Sequence, residues 1–241
     1  MNNHADTNSL YTLGDNLCIS VRIEELIIGN GISSCGNTAR LDFSPLLIRL
    51  KRIEIGDNCS FQTVDGFRID GLPSLERVEV GRKCFDNWDE WEKWTCEITG
   101  CPKISHLSIG NESFSKCTSF ELSNLNSLQS IEFGEQCFQS TYCCTINNLK
   151  SLEKLHIGKR CFHLYSYKEN YSSCNITSCP NLRQIVFDDE SCVNYLSLNL
   201  ASTESLELIE FRNACFLYAN LSLSCKLLWT KRFFMIIFII K

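Results

Sequence analysis

The sequence predicts a mainly β protein, a right-handed solenoid of about eight coils with two short parallel strands per coil and little helix. Two phrases that recur in fixed phase, and glycines that return at a steady interval, predict it. The first phrase is Leu-x-x-Ile-x-Ile-Gly-x-x-Cys-Phe. The second is apolar-x-Ile-x-x-apolar-x-x-Leu, whose Ile or Leu lies six residues before the Leu that opens the next first phrase. Gly29, Gly56, Gly81, Gly110, Gly134 and Gly158 set a unit of roughly 24 residues, stretched where loops are inserted.

Taken along the chain, a degenerate first phrase, IEELIIGNGIS, starts at Ile23. Good copies follow from Leu50, Leu75, Ile104, Leu128, Leu152, Leu182 and Leu206. The second phrase falls between them, starting at Phe67, Cys96, Phe120, Cys144, Cys174 and Leu198. Alternation such as Ile53-x-Ile55 and Phe67-x-Ile69 has period two, so both phrases read as short strands with alternate residues inward. No segment sustains a 3.6-residue period. Gly56, Gly81, Gly110, Gly134 and Gly158 follow the first strand, where a sharp turn with positive φ is expected. Gly71, Gly100, Asn124 and Asn148, then Pro73, Pro102 and Pro180, mark a second corner. Stacked at about 4.8 Å per coil, the units give a rod or shallow arc on the order of 40 Å long.

The chain divides into a lead-in or cap over 1–20, the solenoid over 21–225 and an apolar tail over 226–241. The tail's unbroken run from Phe233 to Ile240 is far shorter than the ~20 apolar residues that span a bilayer. A capping strand, a weak membrane-surface contact and a truncation are the alternatives. An unfinished cap or truncation is preferred, because a cap bears a polar outer face.

Composition narrows the function. Hydrophobic residues make up 44% and charged residues 21%, as in an ordinary folded protein, with net charge −5 and the signs interspersed. That balance leaves no basic footprint for nucleic acid. The start, MNNHADTNSLYTLGDNLCISV, has no signal-peptide pattern, so a cytoplasmic location is expected and the five Asn-x-Ser/Thr sequons stay unmodified.

The Leu-x-x-Ile-x-Ile phrase with its downstream Cys-Phe resembles leucine-rich-repeat proteins, in particular the BspA-like class, from about residue 21 to 225. It departs from that class in ending the phrase on Gly rather than Pro. The resemblance implies a binding solenoid and brings no catalytic residues and no cofactor.

Sixteen cysteines are the tempting chemistry. Cys59, Cys84, Cys137, Cys161 and Cys215 share one repeat position, filled by Ser113 and Ser191 elsewhere, and are expected to stack inward. Cys96, Cys101, Cys144, Cys174 and Cys179 stand where sister repeats have Phe or Leu. Free cysteine is a small buried hydrophobe, so a structural ladder is expected rather than a metal site, which needs convergent ligands. No spacing suggests a Ser-His-Asp arrangement, and no enzyme is expected.

Two places point to ligand contact. The outward column of the first strand reads Glu54, Glu79, Ser108, Glu132, His156, Val186, Glu210. Beside it run Arg52, Arg77, His106, Ser130, Lys154, Gln184 and Leu208, which neutralise the acids. Leucine-rich-repeat solenoids bind through such positions, so Glu54, Glu79, Glu132 and His156 are candidates. The repeat is also interrupted at 86–95 and 163–173, by loops carrying Trp88, Trp91 and Trp94, and Tyr165, Tyr167 and Tyr171. They leave the same corner three coils apart, roughly 14 Å. Trp and Tyr are enriched in binding hot spots. The competing reading folds Trp88 or Trp94 back onto the core. The sequence thus predicts a non-catalytic protein-interaction scaffold; the alternative is a surface or secreted adhesin-like module.

Overall fold

The computed structural model describes residues 10–13, 16–19, 21–32, 43, 45–59, 66–86, 94–164, 172–216 and 234–237. An antiparallel hairpin, β1 (Leu10–Leu13) with β2 (Asn16–Ile19), precedes two parallel sheets. The first sheet takes the first phrase of each repeat: β3 (Glu25–Ile28), β4 (Arg52–Ile55), β6 (Arg77–Val80), β8 (His106–Ile109), β10 (Ser130–Phe133), β12 (Lys154–Ile157), β14 (Gln184–Phe187) and β16 (Leu208–Phe211). The second sheet takes the second phrase: β5 (Gly66–Asp70), β7 (Thr95–Thr99), β9 (Ser119–Ser123), β11 (Cys143–Asn147), β13 (Ser173–Thr177) and β15 (Ser197–Ala201). The tail adds β17 (Phe234–Ile237), parallel to β16 with Leu208 opposite Phe234.

The protein is therefore a β-solenoid, and no helix occurs among the described residues. Among the described residues six coils carry both strands, somewhat fewer than the eight expected, since the first and last repeats contribute described strands to the first sheet alone. In the first repeat, Phe43 makes a single parallel bridge to Ile69.

Alternation drives the packing. In β4, Ile53 and Ile55 point inward while Arg52 and Glu54 face out, and the same pattern holds in β6, β8 and β12. Parallel register stacks like on like: Phe67, Cys96, Phe120, Cys144, Cys174 and Leu198 form one inward column of the second sheet. A column of Phe85, Phe114, Phe138 and Phe162 fills the corner between the sheets. Successive rings are 4.8, 5.3 and 5.1 Å apart and within 7° of parallel. These phenylalanines hold φ between 53° and 57°, a left-handed conformation costing about 1–2 kcal/mol each. Burying a Phe side chain is worth about 1.5–3 kcal/mol, and an aromatic pair adds about 0.5–1.5, so packing outweighs the strain. Each backbone N–H also finds a carbonyl one coil back, as Phe114 N does with Cys84 O at 2.9 Å.

The turn glycines depart from expectation. Gly56, Gly81, Gly110, Gly134 and Gly158 are not at positive φ; the described glycines that are include Gly71 and Gly100 at the second corner. Closeness of the neighbouring coil selects glycine instead. A Cβ on Gly134 would lie 2.5 Å from Asn111 Oδ1, 2.7 Å from its backbone N and 2.9 Å from Gly110 C. The left-handed turn falls two residues later, on Asn58, Lys83, Glu112, Gln136 and Arg160. Their N–H groups bond forward to the next coil, as Gln136 N does with Lys159 O at 2.7 Å.

Candidate functional site

The cysteine column is buried as expected, and its hydrogen bonds explain why serine can replace it. Each described cysteine of the column, and Ser113 with them, donates to a carbonyl at the preceding coil's turn. Cys59 Sγ reaches Gly29 O at 3.2 Å, Cys84 Sγ reaches Gly56 O at 3.0 Å and Ser113 Oγ reaches Gly81 O at 2.8 Å. Cys137 and Cys161 repeat the bond to Gly110 O and Gly134 O at 3.2 and 2.8 Å. Ser113 Oγ also accepts from Cys84 N at 3.1 Å. The position demands a small donor that also accepts, and both Cys and Ser qualify. The thirteen cysteines whose side chains are described are free thiols, and no metal-holding group of His, Cys, Asp or Glu occurs among the described residues. Burial pushes the Cys84 and Cys117 thiols up to about 12 and holds Cys144 and Cys192 well above the ordinary value. Such thiols are inert toward nucleophilic chemistry.

The outer face of the first sheet carries the polar columns in register. Glu54 stands beside Glu79, Glu79 beside Ser108, Ser108 beside Glu132 and Glu132 beside His156. Most of its carboxylates are neutralised. Arg52 pairs with Glu54 on its own strand, and with Glu79 across the strands at 3.7 Å. Arg77 pairs with Glu79 at 2.6 Å, and that guanidinium holds the Glu79 carboxyl below its ordinary value. Asp188, at the position where most repeats have glycine, bonds His156 Nε2 at 2.9 Å and Arg212 Nη1 at 2.5 Å. Half-exposed pairs of this kind are worth at most about 1 kcal/mol each, so they set the charge pattern more than the stability.

Between these clusters the long side chains give way to Ser108 and Ser130, and the face sinks. The resulting depression of about 360 Å³ is lined by Ser105, His106, Ser108, Asn111, Ser130 and Glu132, with Gly110 and Gly134 at its turn edge. Glu132 is 79% exposed and its ion-pair neighbour is His156 Nδ1 at 3.5 Å. Of the residues singled out in the sequence, Glu132 lines this depression, Glu79 and His156 stand in register beside Ser108 and Glu132 on the neighbouring strands, and Glu54 lies on β4, two strands from β8. The two serines are site residues that sequence pattern alone does not single out; the break in both charged columns at 108 and 130 is their signal.

The aromatic candidates fare differently. Trp94 is 7% exposed and packs against Phe85 and Phe114 with centroids 5.9 Å away, so its ring belongs to the core and not to a ligand surface. Trp88, Trp91, Tyr165, Tyr167 and Tyr171 lie outside the described residues.

A β-solenoid with one charge-patterned, indented sheet face is the class of protein that this fold and site define. Compared with protein-family models, curated proteins and solved structures, the chain matches none.

Proposed function

We propose that the chain is a non-catalytic protein-interaction scaffold that engages its partner through the outer face of the first sheet. The depression at Ser108 and Ser130, on the outer face of the first sheet, is the observation that carries this reading. A regular solenoid face left its residues free to vary, since their side chains touch water and not the core. Small residues at two adjacent positions open a recess of the size that takes one or two side chains. The likeness of the repeat phrase to leucine-rich-repeat proteins, which bind through equivalent positions, supports the same face.

Filling the recess tests it. In affinity capture from cell extract, Ser108→Trp with Ser130→Trp should lose the bound protein, while Asn175→Arg on the outer face of the second sheet should retain it. Circular dichroism and melting temperature confirm that both variants fold. Equal capture by the filled and unmodified proteins refutes the assignment of this face.

A further inference from the structure

We infer that the depression receives a cationic side chain, a lysine or arginine head group presented by the protein partner; this rests on the binding face proposed above. Charge points to it. On this face Glu54, Glu79, Asp188 and Glu210 each have an arginine partner, Glu210 with Arg212 at 2.9 Å. Glu132 has none among the described residues: its neighbour is a histidine ring at 3.5 Å, an ion pair only when that ring is protonated. It is also the one carboxylate among the residues lining the recess. From β4 to β16, the outward carboxylate without an arginine partner among the described residues therefore sits at the rim of the recess.

The lining supplies what a cation needs beyond charge. Ser108 and Ser130 hydroxyls have no hydrogen-bond partner among the described residues, so their oxygens are open acceptors. Ser108 stands directly beside Glu132 across β8 and β10, and Ser130 lies two residues before Glu132 on the same face of β10. An ammonium or guanidinium seated over the two serines accordingly reaches the Glu132 carboxylate, and a charge-assisted bond is about twice as strong as a neutral one. Lys154, in register with Ser130 on β12, forms no ion pair among the described residues. It limits the site to a discrete cation, because a run of positive charges would meet Lys154 as well.

Titration of the intact protein with n-propylguanidinium, followed by backbone amide NMR, tests this. Saturable shifts are expected at His106, Ser108, Gly110, Ser130, Glu132 and Gly134. Glu132→Gln should weaken binding at least five-fold and Lys154→Glu should strengthen it about two-fold or more; propionate should produce no saturable shift there. Absence of saturable shifts, insensitivity to Glu132→Gln, or binding of propionate in place of the cation overturns the inference. Both variants alter exposed side chains, and an unchanged amide spectrum elsewhere verifies their fold. If the filled-recess variants still abolish partner capture while the guanidinium titration is silent, the binding face stands and the cation assignment falls.

Discussion

Replacing Cys84 by serine, alanine and valine separates two explanations of the cysteine ladder. Cys84 is fully buried, so a purely hydrophobic account ranks the variants by apolar volume, with valine best and serine worst. The hydrogen bonds predict the reverse. Cys84 Sγ donates to Gly56 O at 3.0 Å and accepts from the Cys59 N–H. Serine can make both bonds, as Ser113 does one coil on, at 2.8 Å to Gly81 O and 3.1 Å from Cys84 N. Its cost, the loss of a polarizable sulfur, is about 0–1.5 kcal/mol. Alanine and valine strand a buried carbonyl and a buried N–H, each worth about 1–3 kcal/mol when left unpaired, and alanine adds a small cavity. Allowing for partial relaxation, both should lose about 2–5 kcal/mol. Urea denaturation under reducing conditions, read by circular dichroism and fitted for the midpoint at constant slope, measures the order. A valine variant more stable than the serine variant refutes the hydrogen-bonded ladder.

Three further outcomes follow from the same coils. Gly134→Ala should cost about 2–5 kcal/mol, since its Cβ meets Asn111 at 2.5–2.7 Å and disturbs the bonds Gly134 N to Ile109 O and Glu135 N to Asn111 Oδ1, both 3.0 Å; Gly29→Ala, with nothing within 4 Å, should change stability by less than about 0.5 kcal/mol in the same urea assay. The Glu79 carboxyl is held below its ordinary value by Arg77, so it stabilises the fold at neutral pH and that contribution is lost as pH falls through the depressed folded value. Glu79→Gln should therefore be less stable than the parent at pH 7 by at most about 1 kcal/mol and converge with it in acid, as a stability–pH curve would show. Thiol labelling mapped by mass spectrometry should modify half-exposed Cys143 in the native protein and reach Cys84, Cys117, Cys144 and Cys192 only with global unfolding; labelling of these four at the rate of Cys143 would contradict the packing.

Much of the fold was legible in the chain because the solenoid repeats its own instructions. Ile53-x-Ile55 and its sister phrases state the strand, its inward face and the coil spacing several times over, and the two sheets follow the two phrases. The inward cysteines were legible for the same reason: Phe67 and Phe120 at the position of Cys96 showed what that column must do. Their hydrogen bonds were less so, although Ser113 and Ser191 in the ladder hinted that a donor was required.

Local sequence determined which residues turn inward, where each coil turns and which columns reach solvent. What it left open depends on the neighbouring coil, about 4.8 Å away in space but some 24–30 residues away along the chain. Only the stacked structure decided that Gly134 is glycine for clearance and not for φ, that Trp94 belongs to the core, and that Asp188 reaches back to His156. It also decided which charges survive on the outer face. Arginines on the same and neighbouring strands pair with most of them and leave Glu132 beside a recess, because Ser108 and Ser130 stand where sister coils place long charged side chains.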